Sequence, residues 1–133
     1  MSLHQLARLA QDQGEIEEAG RLYNESLEIN KKLGNQGGIA RTLHQLAMLT
    51  QDQGEMDEAR RLYNESLEIA KKLGDQSGIA ISLNQLARLA EAEGKNEEAA
   101  RLFGEALAIF EKLKSPNAEI ARRGLKRVEG KPS

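Results

Sequence analysis

Cysteine and tryptophan are both absent from this chain of 133 residues. Without a thiol, the protein has no disulfide, no thiolate ligand for zinc and no cysteine nucleophile. Aromatic residues are few, with two tyrosines and two phenylalanines, and no apolar run approaches the roughly 18 residues that a membrane span needs. No signal-peptide pattern opens the sequence. These absences predict a water-soluble protein of the cytoplasm that makes no contact with a membrane.

Basic residues are concentrated at one end of the chain, although the formal net charge is only −2. Residues 112–133 hold seven Lys or Arg against Glu119 and Glu129, and acidic groups outnumber basic ones in the rest. A basic tail can bind nucleic acid, but no aromatic residue stands among these charges to stack on bases. The pattern favours a basic terminal helix that complements an acidic body, and nucleic-acid binding is the weaker alternative.

Internal repetition is the dominant feature of the sequence, with a period of 40 residues. Residues 1–40 and 41–80 are identical at 30 of 40 positions, and the next step along the chain retains 15. Such a period is typical of stacked-repeat proteins, in which each unit buries its apolar face against its neighbours. We therefore expect a single domain over 1–133, made of repeats 1–34, 35–74 and 75–114 and a capping helix at 115–129.

Each repeat is predicted to contain two amphipathic helices. Apolar residues recur at steps of three and four along 37–53 and again along 56–73, with Gly54 between the two patterns. Glycine also ends the second helix in the first two repeats, and the residues directly after the second helices, Asn35, Asp75 and Ser115, are good helix caps. The spacing predicts no strand and seven helices, near 2–13, 16–33, 36–53, 56–73, 76–93, 96–113 and 116–128.

The repeated pattern reads L-x-x-L-A-x-x-x-x-x-x-G-x-x-x-E-A-x-x-x-Y/F-x-x-S/A-L and covers residues 1–114. It resembles the tetratricopeptide repeat, with small residues at Ala47 and Ala59 and the family aromatic at Tyr63. The resemblance implies an all-α fold, a right-handed superhelical solenoid of three helix-turn-helix repeats plus a C-terminal capping helix. The second helix continues without the usual proline, which makes the repeat similar to the longer repeats of Leu-Gly-Asn polarity proteins, kinesin light chain and the sensor arrays of bacterial signalling ATPases.

No group of residues indicates catalytic or metal-binding chemistry. His4 and His44 lie one repeat apart without a recurring third ligand, so we expect them to line a groove instead of holding a metal ion. The segment GNQGG at 34–38 follows a helix and lacks the Lys-Ser/Thr ending of a phosphate-binding loop. Paired acids such as Glu17 and Glu18 open helices, where they interact with the helix dipole. We expect no enzyme activity and no catalytic, metal or cofactor site.

The resemblance also implies where a ligand binds, because in this family the first helices line a concave groove that holds an extended peptide or a partner helix. A Gln amide suits a peptide backbone, Arg suits carboxylates and Met gives adaptable apolar contact. The alternative is that Gln and Arg merely favour exposed helix. The predicted peptide-binding residues are His4, Gln5, Arg8, Arg41, His44, Gln45, Met48, Asn84, Gln85 and Arg88.

Three functions remain open from the sequence. The first is a non-catalytic scaffold module that binds a protein or peptide of unknown identity; since the chain starts inside a first helix, we expect it to be a fragment of a larger sensor or adaptor. The second is homo-oligomerisation through the N-terminal edge, where Leu3 and Leu9 face the place of an earlier repeat. The third is nucleic-acid binding through the basic last helix, in which Ile120, Gly124 and Val128 are expected to dock on repeat three.

Overall fold

The computed structural model describes residues 1–133 and contains seven α-helices and no strand. The helices are α1 (Leu3–Asp12), α2 (Ile16–Leu33), α3 (Gln36–Asp52), α4 (Met56–Leu73), α5 (Gln76–Ala92), α6 (Asn96–Lys112) and α7 (Ala118–Val128). The predicted all-α class and the predicted number of helices are confirmed. None of the seven is both long and apolar enough to cross a bilayer.

The chain divides into two compact units, Met1–Ile69 and Ala70–Ser133. In the first unit α2 packs against both α1 and α3, and in the second unit α6 packs against both α5 and α7. The single domain and its internal repeat boundaries stay predictions.

The turns between repeats follow the expected chemistry in the first two repeats. Gly34 and Gly74 end their helices with φ of 66° and 67°, the left-handed conformation that glycine adopts without a side-chain clash. The next residues cap the following helices, because the Asn35 and Asp75 side chains each accept a hydrogen bond from a backbone N–H three residues later, both at 3.0 Å. In the third repeat Lys114 takes the left-handed conformation instead of a glycine, with φ of 56°.

The prediction that Ser115 caps a helix starting at Pro116 is wrong. The Ser115 hydroxyl accepts a hydrogen bond from the Asn117 N–H at 3.1 Å, two residues on, and the Ser115 carbonyl accepts one from the Ala118 N–H at 3.1 Å. These bonds close a turn over Ser115–Asn117. Helix α7 therefore begins at Ala118, two residues later than the sequence indicated.

Leucine, alanine and tyrosine form most of the core of the first unit. Ala19, Ala47 and Ala59 are fully buried, as the family pattern implied, and so are Tyr23 and Tyr63. The apolar stripe predicted along the first helix of repeat two is buried throughout. The corresponding stripe of the second helix fails only at its end, where Leu73 is 52% exposed because it lies in the last turn of α4.

In the second unit, a close approach between Phe103 and the backbone of Gly124 brings α6 and α7 together. A Cβ atom added at Gly124 would lie 2.4 Å from Phe103 Cε1, so only glycine fits there. Gly124 and Val128 are buried as predicted, but Ile120 is 54% exposed, and Ala121 takes its place in the contact. Spacing alone did not separate the two residues, since 120, 124 and 128 also lie at steps of four, and the burial of Ala121 identifies the packed face.

Candidate ligand-binding site

The two histidines of the first unit pack edge-on against tyrosine rings. The His4 and Tyr23 centroids are 5.7 Å apart at 69°, and those of His44 and Tyr63 are 5.5 Å apart at 63°. Burial lowers the pKa of His44, and burial together with the charges of Arg41 and Arg8 lowers the pKa of His4. Both imidazoles are therefore neutral at pH 7 and half-buried, with part of each ring turned toward its tyrosine.

Each of these tyrosines also ties its helix to the preceding one through a hydrogen bond. The Tyr23 hydroxyl donates to Gln11 Oε1 at 3.0 Å, and the Tyr63 hydroxyl donates to Gln51 Oε1 at 2.9 Å. Sequence reasoning missed this pair. The available signal was that Gln and Tyr occur together in the first two repeats and are both replaced in the third.

The remaining predicted residues of the first unit differ in their accessibility. Arg8 and Arg41 are exposed, whereas Gln45 and Met48 are half-buried on α3. Gln5 caps a helix, because its side chain accepts a hydrogen bond from the Ser2 N–H at 3.0 Å in a capping box that starts α1. The three equivalent glutamines are therefore not interchangeable. A shallow cavity of about 350 Å³ on α1 is lined by Met1, Gln5, Arg8, Leu9 and Asp12.

The second unit contains a smaller pocket that includes three of the predicted residues. Its volume is about 140 Å³. Asn84 is 8% exposed, and its Oδ1 atom is buried without a hydrogen-bond partner in the protein. Arg88 is exposed to solvent, while Gln85 is half-buried. The lining residues are Ile81, Asn84, Gln85, Arg88, Phe110, Asn117 and Ile120.

Three residues of this pocket escaped sequence reasoning, because they come from the second helix and from the chain around the start of α7. Phe110 stands where repeat two has Ala70, and this change to a bulky aromatic was the one visible signal. Ile120 was assigned to the interface between α7 and repeat three, whereas it lines the pocket. Asn117 lies in the turn before α7, which had no counterpart in the repeat pattern.

Ion pairs hold the basic helix α7 to acidic residues of α5 and α6. Arg127 Nε and an amino nitrogen contact the two carboxylate oxygens of Glu91 at 2.9 and 3.0 Å, and the guanidinium lies 5.8 Å from the Phe103 ring centroid. The hydrogen bond from Arg127 lowers the pKa of Glu91. Arg122 contacts Glu111 at 3.1 Å. These contacts are the charge complementarity expected of the basic segment, and they occupy two cations that a nucleic acid would otherwise contact.

The structure brings no group of three His, Cys, Asp or Glu side chains together in a way that could hold a metal ion. The available chemistry consists of amides, guanidinium groups and apolar contacts. These groups recognise polar and charged ligand atoms through hydrogen bonds.

The fold defines an all-α protein of the helical-repeat class. The tetratricopeptide repeat family matches residues 1–33 and, separately, residues 38–112. The chain belongs to the tetratricopeptide repeat family. No curated protein matches it.

Solved structures of three different proteins have the same fold. BtubC (BKLC) from P. vanneervenii superposes with a TM-score of 0.85 and 23% identity over 95% of this chain and 53% of that one. A putative kinesin light chain from Podosopora anserina with nearly identical TPR-like repeats gives 0.78 and 27%, over 95% and 63%. A Rap protein complexed with Competence and Sporulation Factor gives 0.84 and 21%, over 95% and 35%. The chain therefore spans between about a third and two thirds of the length of these proteins.

Proposed function

We propose that this chain is a non-catalytic scaffold module that binds a protein or peptide on the first-helix face, defined as the ten predicted residues on α1, α3 and α5. We further propose that it works as part of a larger sensor or adaptor in the cytoplasm. Tetratricopeptide repeat families are generally non-catalytic scaffolds, which supports this assignment. A tagged full-length gene product would test the location.

One observation carries the proposal: polar side chains recur at a fixed register on α1, α3 and α5, and on α3 and α5 many of the neighbouring positions are buried. On α3 the buried residues include Leu43, Leu46 and Ala47, while Gln45 and Met48 between them keep access to solvent. A surface that is rigid on its inner side and polar outside is preorganised, which lowers the ordering cost of binding a ligand.

One neighbour supports a ligand-binding use of the fold, and another resembles this chain in its repetition. The Rap protein is complexed with Competence and Sporulation Factor. The putative kinesin light chain shares the property of nearly identical repeats. We propose that this chain uses its helical repeats for ligand binding in the same general sense.

The test selects peptides from a random library on the immobilised chain and measures them by calorimetry. Removing both exposed cations with Arg41→Ala/Arg88→Ala should weaken acidic peptides by about tenfold or more, since a charged hydrogen bond contributes more than a neutral one. Neutral peptides should change little. The matched control, Lys32→Ala/Lys72→Ala, removes two cations at the ends of second helices and should leave affinity unchanged.

A loss confined to the lysine variant would place the ligand on the second helices and contradict the first-helix face. Failure to select any peptide would contradict peptide binding altogether.

Self-association is a second candidate, because the N-terminal edge of the first unit exposes apolar residues whose repeat equivalents are buried. Leu9 is 44% exposed, while Leu49 is only 3% exposed. Light scattering should show a mass that rises with concentration and falls in Leu9→Gln. The control is Leu33→Gln, a change at an exposed leucine at the end of α2. A constant monomer mass would exclude this candidate.

A further inference from the structure

The pocket of the second unit combines a buried acceptor and a cationic rim. Asn84 is more than nine-tenths buried, and no group of the protein donates a hydrogen bond to its Oδ1 atom. The same pocket, of about 140 Å³, is lined by Arg88 on one side and by the apolar Ile81, Phe110 and Ile120. Buried polar atoms in folded proteins are nearly always paired with protein or water, so an unpaired oxygen on a pocket-lining residue points to a donor among the pocket's occupants.

The chemistry of the pocket excludes most ligand groups. A carboxylate has no proton to donate to Asn84 Oδ1, and a hydrocarbon would leave that oxygen unpaired. An ammonium group could donate, but it would lie near the positive charge of Arg88, the single charged residue of the lining. The cavity has room for several water molecules, which is more than a small hydroxyl group fills. A group that is neutral, donates and also accepts satisfies every side of the pocket.

We infer that this pocket binds a primary carboxamide, supplied by an Asn or Gln side chain of a peptide ligand. The amide nitrogen donates to Asn84 Oδ1, and the amide oxygen accepts from Arg88 or from the Asn117 side-chain amide. The aliphatic stem contacts Ile81 and Ile120. This inference rests on the proposed function, because it places the peptide on the first-helix face that leads into the pocket.

The selectivity belongs to the third repeat alone. In the first two repeats the positions equivalent to Asn84 are His4 and His44, and each of these rings packs against its own tyrosine. Phe110, which lines the pocket, replaces Asn30 and Ala70 of those repeats. One carboxamide per bound peptide is therefore expected.

The first experiment tests the chemistry with small probes of similar shape. Butyramide, butyrate and pentan-2-one differ in donor and charge but little in size. Titrations followed by NMR should show butyramide shifting the resonances of the pocket residues, with affinity at least fivefold above that of the other two. Asn84→Leu should abolish the preference, and Asn24→Leu, at an exposed position of α2 outside the first-helix face, should leave it intact.

Ile120→Ala provides a second variant. Its side chain is exposed and the fold does not depend on it, and butyramide should bind this variant several-fold more weakly. Equal affinity for butyramide and pentan-2-one, or an unchanged preference in Asn84→Leu, would overturn the inference.

The second experiment identifies the source of the carboxamide. Peptides selected by the wild-type chain should be enriched in Asn or Gln at one position, and Asn84→Leu should still select peptides but without that enrichment. Selected peptides with no amide preference would overturn the pocket inference and leave the proposed function standing. If no peptide is selected, the proposed function fails, and butyramide binding would then assign the pocket to a free carboxamide and overturn the peptide source.

Discussion

The first two repeats and the third repeat use different side-chain interactions at the same positions. In repeat two, a buried Tyr63 hydroxyl donates to Gln51 and joins the two helices. In repeat three, Phe103 replaces the tyrosine and Glu91 replaces the glutamine, so this hydrogen bond cannot form. Arg127 of α7 replaces it by pairing with Glu91 while its guanidinium lies over the Phe103 ring.

These differences show that the third repeat is adapted to the helix that follows it. A hydroxyl at position 103 would lie close to the Arg127–Glu91 pair, whereas a phenyl ring offers its face to the guanidinium. The same ring meets the backbone at Gly124, where no side chain fits. The changes to Glu91 and Phe103 at this end of the chain are therefore matched to contacts with α7.

The largest expected effect is common to both regions. Ala59→Leu in the first unit and Ala99→Leu in the second should each lower the free energy of unfolding by about 1–3 kcal/mol, because both alanines are fully buried and added carbons overpack the core. Urea denaturation measures the change. Gln45→Ala is the control and should be nearly neutral. A larger loss for Gln45→Ala than for either alanine variant would contradict our assignment of the packing face.

The next effect separates two helical glycines of the second unit. Gly124→Ala should destabilise the protein by about 1–2 kcal/mol, because the new methyl group meets the Phe103 ring. Gly104→Ala adds the same methyl group to α6 where no atom lies within 4 Å, so it should stabilise by about 0.5–1 kcal/mol through helix propensity. Thermal unfolding of both variants checks the sign. Two variants of equal stability would show that α7 does not pack as described.

A third measurement tests the bond that only the first two repeats contain. Tyr63→Phe should cost about 1 kcal/mol, the usual net value of a hydrogen bond. A double-mutant cycle with Gln51→Leu isolates the coupling, which should be about 0.5–1.5 kcal/mol. Additive single-variant losses would show that the hydroxyl and the amide do not interact.

The repeat pattern was enough to predict the helices, because helix propensity, glycine turns and Asn or Asp caps all agree in the first two repeats. Prediction failed where the repeat ends. Ser115 looks like the earlier caps, but its hydroxyl accepts a hydrogen bond from the N–H two residues on, at Asn117, and not three residues on. Ile120 fits an apolar pattern, yet it is exposed and the interface uses Ala121.

The candidate site was also predicted only in part. The repeat period predicted Asn84, Gln85 and Arg88, because each occupies the same position on its helix as an equivalent residue of the first two repeats. Their partners in the pocket, Phe110 and Asn117, come from elements that contact this face only after folding. A single sequence carries no signal for such contacts beyond the departure from the repeat, and so the pocket could not be predicted.

The smallest expected effect concerns pH and returns to the residue that distinguishes the repeats, since His44 stands where the third repeat has Asn84. Burial lowers the pKa of His44 below its ordinary 6.5. Above that pH the imidazole is neutral in both folded and unfolded chains and contributes no pH dependence. Below it, the unfolded chain binds a proton that the folded chain rejects, so stability falls until the lowered folded pKa is reached. His44→Asn should therefore flatten the decline in urea midpoint below pH 6.5, relative to wild type and to the non-titrating control Gln45→Ala. His4→Asn should flatten it as well, because burial and the charges of Arg41 and Arg8 lower the pKa of His4. An unchanged slope in both histidine variants would mean that the imidazoles are protonated as easily in the folded chain, and would contradict their packing against the tyrosine rings.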